Sequence, residues 1–404
     1  MENLVIIGAG QSAVQCITTL QKEGYSGSIT LVGDEEHLPY QRPPLSKGFL
    51  EDTINKERLY FKKLEFFIEN KIQLKLGSYV EGVNIQDQNI ALADGGKLDF
   101  DKLVFATGSR VRKLDFPGNN LGAIHYLRGL DDAESMKSDM ENSKNIVIVG
   151  AGYIGLEVAA IASKKNASVS VIEMADRVMN RTVDPQISEY YKNLHESHGV
   201  EFQFNNSLKE IVGSKKVEKV ICSDGTEIKA DMVIIGAGIL PNVEIAEEAG
   251  INCENGIIVD EFAKTNSDIV FACGDCTNHP NKLLNRNLRL ESVHNAMEQA
   301  KTAAYSVLGN PVEYNQIPWF WSDQYDHKLQ IVGLSGEHDA VTIRGHIEES
   351  KFMLFYTKED KLIAVDSINN PKEFLICRKL VANKVTIKPE MISDLKMDLN
   401  DLIR

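Results

Sequence analysis

Two glycine runs carry the clearest chemistry in this 404-residue chain. Gly8-Ala9-Gly10-Gln11-Ser12-Ala13 follows the apolar run Leu4-Val5-Ile6-Ile7, and Gly150-Ala151-Gly152-Tyr153-Ile154-Gly155 follows Ile148-Val149. In the pattern G-x-G-x-x-G/A the first glycine permits a tight strand-to-helix turn, the second lets a pyrophosphate approach the backbone, and the third position must be small for helix–strand packing. Ala13 meets that last demand as Gly155 does. The anion then sits on a helix N-terminus, where free N–H groups and the dipole favour it. Each copy is followed by a second apolar strand that ends in an acid, Asp34-Glu35 after the first and Glu173 after the second, placed to accept hydrogen bonds from a ribose. The chemistry expected is the binding of two dinucleotides. Glu173 further favours a free ribose 2′-hydroxyl over a 2′-phosphate, and so NADH over NADPH. Arg177, four residues on, is the base that could read a phosphate instead.

The elements that must position these turns follow a βαβ rhythm, which predicts parallel sheets covered by helices. Lys102-Leu103-Val104-Phe105-Ala106-Thr107-Gly108 and Met232-Val233-Ile234-Ile235-Gly236-Ala237-Gly238 read as later strands of the two sheets, and Ile269-Val270-Phe271-Ala272-Cys273-Gly274-Asp275 as a further one. The expected fold is α/β. Two Rossmann-like dinucleotide-binding domains, one inserted in the other, occupy 1–112 with 240–315 and 113–239. From about residue 316 the pattern changes to alternating strands such as Phe352-Met353-Leu354-Phe355-Tyr356, so 316–404 is expected to form a C-terminal α+β domain.

Composition sets outer limits. A net charge of −14 argues against a nucleic-acid binder, which normally shows a basic face. No apolar run approaches the roughly 18 residues of a membrane span, and Leu4-Val5-Ile6-Ile7 reads as a buried strand rather than part of a leader; a cytoplasmic location is expected. The six cysteines make no disulfide framework. Cys273-Gly274-Asp275-Cys276 has redox spacing, but no second pair completes a metal site, and packing is the expected role of Cys16, Cys273 and Cys276.

Further motifs carry a family resemblance. They are Arg42-Pro43-Pro44-Leu45-Ser46-Lys47, Ala106-Thr107-Gly108, Gly150 to Glu157, Pro241-Asn242, Gly274-Asp275, Glu291-Ser292-Val293-His294-Asn295-Ala296 and Trp319-Phe320-Trp321-Ser322-Asp323-Gln324. With these the chain resembles, essentially end to end, the FAD-dependent pyridine-nucleotide oxidoreductases, and within them the ferredoxin reductases of bacterial oxygenase systems, the putidaredoxin reductase type.

The resemblance implies that FAD is held by Gly8, Gly10, Ser12, Ala13 and Glu35, by Arg42 and Lys47, by Ala106, Thr107 and Gly108, and by Asp275, Val293 and Trp321. It implies NADH on Gly150, Gly152, Tyr153, Ile154, Gly155, Glu157, Glu173 and Gly238. Lys47 and Glu157 become the catalytic pair beside the isoalloxazine, where a cation stabilises the charge that arrives with hydride. The stretch from Trp321 to Gln324 is expected over the flavin ring. Disulfide reductases and the related peroxidases carry redox cysteine in the first domain, yet none occurs here between Cys16 and Cys222. The implied reaction sends electrons from NADH through FAD, singly, to a [2Fe–2S] ferredoxin that serves a cytochrome P450 monooxygenase or a dioxygenase. Rubredoxin reductase or diaphorase activity, and a regulatory role resembling apoptosis-inducing factor, are the alternatives. Lys282, Arg286, Arg289, Arg110 and Arg112 are the candidate basic dock for the ferredoxin.

Overall fold

The computed structural model describes residues 2–282 and 285–403. Two compact units emerge: Met1–Gln41, Lys56–Arg110 and Ile239–Pro318 make the first, and Arg42–Asn55, Val111–Gly238 and Trp319–Arg404 the second.

In the first unit five parallel strands lie in the order Val270–Ala272, Lys102–Phe105, Asn3–Ile7, Ser28–Val32, Ile72–Lys75. Side chains of Asn3–Ile7 alternate across the sheet. Leu4 and Ile6 pack with Cys16, Ile17 and Leu20 of the helix Gln11–Lys22 and with Ala300, Ala303 and Ala304 of the helix Val293–Val307. Val5 and Ile7 face the other layer, with Leu103, Phe105 and residues of an antiparallel meander, Val80–Asn84, Asn89–Leu92 and Lys97–Asp99. Both faces are covered, which is why Leu4 to Ile7 are apolar without interruption.

The second unit repeats the plan with Val200–Gln203, Ser168–Ile172, Asn145–Val149, Met232–Ile235 and Ile124–His125. In both sheets the strand before the glycine turn is central, and the chain leaves it first to one side and later to the other. A crevice opens at the carboxyl end of such a switch point, where ligands of doubly wound sheets bind. The same unit holds a five-stranded antiparallel sheet in the order Trp319–Gln324, His327–Gly333, Lys361–Ile368, Lys351–Lys358, Ala340–His346, with the helix Pro371–Ala382 packed on it. The expected fold class, two nucleotide-binding sheets and a C-terminal α+β part, is the one observed. No helix among the described residues is long and apolar enough to cross a membrane.

Candidate active site

In the first unit the glycine turn is dictated by a close backbone approach. Gly8 has φ +104°, and a Cβ there would lie 2.2 Å from the Ala106 carbonyl oxygen. Gly10 is extended at the head of the helix Gln11–Lys22, no side chain caps that helix, and a Cβ on Gly10 would meet nothing within 4 Å. The turn therefore leaves open space before a helix N-terminus, which fits a dinucleotide pyrophosphate. Glu35 accepts a hydrogen bond from the Tyr40 hydroxyl. Gly274, at φ +91°, stands so near Ser12 that a Cβ would fall 2.3 Å from the hydroxyl. Asp275 accepts from Ser109 Oγ at 3.0 Å. The buried Gln299 fixes this second turn, its Oε1 accepting from Gly274 N–H and from Thr277 Oγ1, both at 2.8 Å. Asn242 grips the Ala106-Thr107-Gly108 turn: its amide donates to the Thr107 carbonyl at 2.9 Å, and Thr107 Oγ1 donates to the Asn242 carbonyl at 2.7 Å. Val293 opens the helix whose N-cap, Ser292, accepts from Asn295 N–H.

The second unit builds its turn more tightly. Gly150 has φ +103°, and a Cβ on Gly155 would lie 2.2 Å from the Gly150 carbonyl oxygen, so glycine is obligatory there where alanine suffices at position 13. Gly152 again opens onto empty space, and Ile154 beside it is exposed. Glu173 is held by two backbone donors, Ala151 N–H on Oε2 at 2.7 Å and Ala175 N–H on Oε1 at 2.8 Å. Its remaining lone pairs are available to a ribose. Arg177 is not available to a phosphate, because its guanidinium turns inward to the Val183 carbonyl, Ser188 Oγ and the Asn180 carbonyl. Gly238, at φ +93°, accepts from Arg112 N–H. The Tyr153 ring lies 4.6 Å from that of Phe320.

The same unit contains the charged pair. Glu157, on the helix Tyr153–Lys164, is 3% exposed, and its Oε2 takes Lys47 Nζ at 2.6 Å and Ser46 Oγ at 2.5 Å. Lys47 closes the short 3₁₀ turn Pro43–Ser46, and Lys164, Lys165 and Lys137 pin the following Glu51 and Asp52 by ion pairs. Ser322 Oγ donates to Glu157 Oε1 at 2.6 Å, and behind it lie Gln324 and the fully buried His195.

The remaining expected residues have definite neighbours in the two units. Within the stretch Trp321 to Gln324, expected at the flavin ring, Ser322 and Gln324 share the strand face opposite to Trp321 and are buried against Glu157 and His195. Arg42 belongs to the second unit, where it donates to the Arg128 carbonyl. Of the proposed dock, Lys282 is paired with Glu313, Arg289 with Glu291 and Arg110 with Glu244, so only Arg286 and Arg112 stand exposed without an acid partner among the described residues. Cys16, Cys273 and Cys276 are fully buried free thiols, and burial pushes Cys16 up to about 12 and raises the other two. None is a nucleophile at neutral pH. Ser46, Tyr40, Asn242, His195 and Gln299 had not been singled out for their side chains; each acts over a long sequence separation or behind another residue, which no local motif reports.

A family model for pyridine nucleotide-disulphide oxidoreductases matches residues 2–300, and one for a reductase C-terminal domain matches 319–403. Rhodocoxin reductase of Rhodococcus erythropolis is 39% identical over 398 residues, 98% of this chain and 93% of that protein. A ferredoxin reductase of Rhodopseudomonas palustris superposes with a TM-score of 0.97 at 38% identity, covering 100% of both chains. Putidaredoxin reductase, solved in covalent complex with putidaredoxin, gives a TM-score of 0.96 at 37% identity over 100% of this chain and 98% of that one.

Proposed function

The chain belongs to the pyridine nucleotide-disulphide oxidoreductases, and from that membership we propose that it is an NADH-dependent ferredoxin reductase containing FAD. The observation that carries the reading is the Lys47–Glu157 pair, built beside a nucleotide turn with no cysteine near it in sequence. With no thiol to receive electrons, they leave for another protein, which the full-length likeness to reductases of ferredoxin-type carriers supports.

Gly8, Gly10, Ser12, Glu35 and Asp275 are assigned to FAD, and Gly150, Gly152 and Glu173 to NADH. Bound flavin supplies the exchange between two-electron and one-electron transfer, which neither nicotinamide nor a [2Fe–2S] cluster performs alone. Lys47 supplies a fixed positive charge for the hydride-transfer step, and Glu157 holds that ammonium in one place. The backbone amides at the two glycine turns bind the pyrophosphates. Glu173 selects the free 2′-hydroxyl, and the inward Arg177 leaves a 2′-phosphate without that counter-charge. Dependence on NADH and six unpaired cysteines support a cytoplasmic location.

Stopped-flow mixing of the holoenzyme with NADH should bleach the flavin rapidly, and cytochrome c reduction should then depend on an added [2Fe–2S] ferredoxin. Turnover with rubredoxin and not with ferredoxin would reassign the acceptor. A long-lived reduced state that no carrier reoxidises would point to a regulatory flavoprotein instead.

A further inference from the structure

Glu157 lies at the end of a buried hydrogen-bond chain whose direction its own chemistry fixes. A carboxylate only accepts. Ser322 Oγ, 2.6 Å from Glu157 Oε1, therefore spends its one hydrogen on that oxygen and can only accept from Gln324 Nε2, at 3.3 Å. Gln324 then turns its Oε1 toward His195, whose Nε2 lies 2.9 Å away and must carry the ring hydrogen. The other ring nitrogen, Nδ1, is left as an acceptor, and the Tyr325 hydroxyl lies 3.3 Å from it, with Ser163 Oγ 2.9 Å beyond. Ser163 Oγ also lies 3.1 Å from the Ala160 carbonyl, which takes its one hydrogen, so from the Tyr325 hydroxyl to Glu157 every donor can point the same way. Ser322, Gln324 and His195 have no exposed surface, so water does not substitute for any link. Burial holds the imidazole neutral, lowering it to about 4, and only a neutral ring has one donor and one acceptor.

We propose that His195, Gln324 and Ser322 are positioning residues for the Lys47–Glu157 pair: the chain fixes Oε1 so that Oε2 stays presented to Lys47. The inference rests on the role proposed above for that pair. Packing alone does not call for this arrangement. Apolar residues would fill the same volume without a desolvation cost, whereas a polar chain satisfied at each link is rigid and directional. The spacing i, i+2 of Ser322 and Gln324 puts both on one face of the strand, while the intervening Asp323 is partly exposed.

Four holoenzyme variants test it, with flavin reduction by NADH followed by stopped flow. His195→Phe keeps a ring against Tyr325 and Phe202 but removes the donor; Ser322→Ala breaks the last link with little change of volume. Each should slow reduction roughly tenfold, the loss typical of one donor to a charged group, at an unchanged NADH dissociation constant. His195→Gln, whose amide nitrogen reaches about where Nε2 stands, should recover most of the rate. Nitrogen NMR of labelled histidine, on protein with or without flavin, should find His195 as the Nε2–H tautomer. Wild-type reduction in both His195→Phe and Ser322→Ala, with Glu157→Gln slow, overturns the chain and leaves the proposed function standing. Wild-type reduction in Glu157→Gln overturns the role of the pair itself. An Nδ1–H tautomer refutes the chain's direction, and Ser322→Ala decides the outcome should His195→Phe not fold.

Discussion

Selectivity at the second nucleotide turn is decided by two side chains with opposite fates. Glu173 is pinned beside the turn by the Ala151 and Ala175 amides, while Arg177 spends its guanidinium on two carbonyls and Ser188. A 2′-phosphate would meet a fixed carboxylate without the Arg177 guanidinium to offset it. The expected kcat/KM for NADPH is about a hundredfold below that for NADH, a difference of roughly 2.7 kcal/mol. Glu173→Ala should narrow the gap by raising the NADPH value while lowering the NADH value. An unchanged ratio in steady-state assays would show that another group reads the ribose. The acid was legible in the sequence, because it ends a strand at a fixed remove from the glycines. The inward turn of Arg177 was not, since the sequence gives its distance from Glu173 but not the carbonyls that claim it.

Among the elements, the C-terminal sheet has its own polar anchor. Arg344, on the strand Ala340–His346, is 3% exposed and makes a forked contact with Glu373 while donating to the carbonyls of Ile392, Asp394 and Met397. It ties the helix Pro371–Ala382 and the chain's last turns to one strand. Arg344→Leu should cost about 3 kcal/mol, since three carbonyls and a carboxylate lose their donor together. Urea unfolding followed by the fluorescence of Trp319 and Trp321 would measure it, and a loss below about 1 kcal/mol would mean that water replaces the guanidinium. The change to an alternating pattern foresaw strands here, as at Phe352 to Tyr356. It could not foresee Arg344, because an arginine amid Val341-Thr342-Ile343 looks like an outward residue until the tail folds over it. The meander at Val80–Asp99 escaped notice for a related reason: its short strands alternate weakly, and only the covered face of the parallel sheet requires them.

For the molecule as a whole, the response to acid is set by buried groups of opposite sign. Burial lowers His279 in the first unit and His195 in the second to about 4. Each folded histidine stays neutral while the unfolded chain takes up a proton, so its stabilisation is present above about pH 6.5 and falls by roughly 3 kcal/mol as pH drops to 4. The second unit also holds Asp366, which burial and the nearby Asp184 push up to about 7 against the lowering effect of the Tyr356 hydroxyl. Its folded form keeps a proton that the unfolded chain has lost. Stability from Asp366 is therefore full below pH 3.8 and declines as pH rises through 7, by roughly 4 kcal/mol in all. Between pH 4.5 and 6.5 the slopes of His195 and Asp366 nearly cancel, whereas among the described residues of the first unit no buried carboxyl raised in this way offsets His279. Hydrogen exchange read separately over the two units should show the first losing protection on going from pH 6.5 to 5 while the second holds. Asp366→Asn should stabilise the second unit by several kcal/mol at pH 8, with the gain shrinking toward zero near pH 4 and the acid sensitivity of His195 laid bare. A gain that did not vary with pH would mean that Asp366 is charged at every pH tested, and the cancellation would be lost with it.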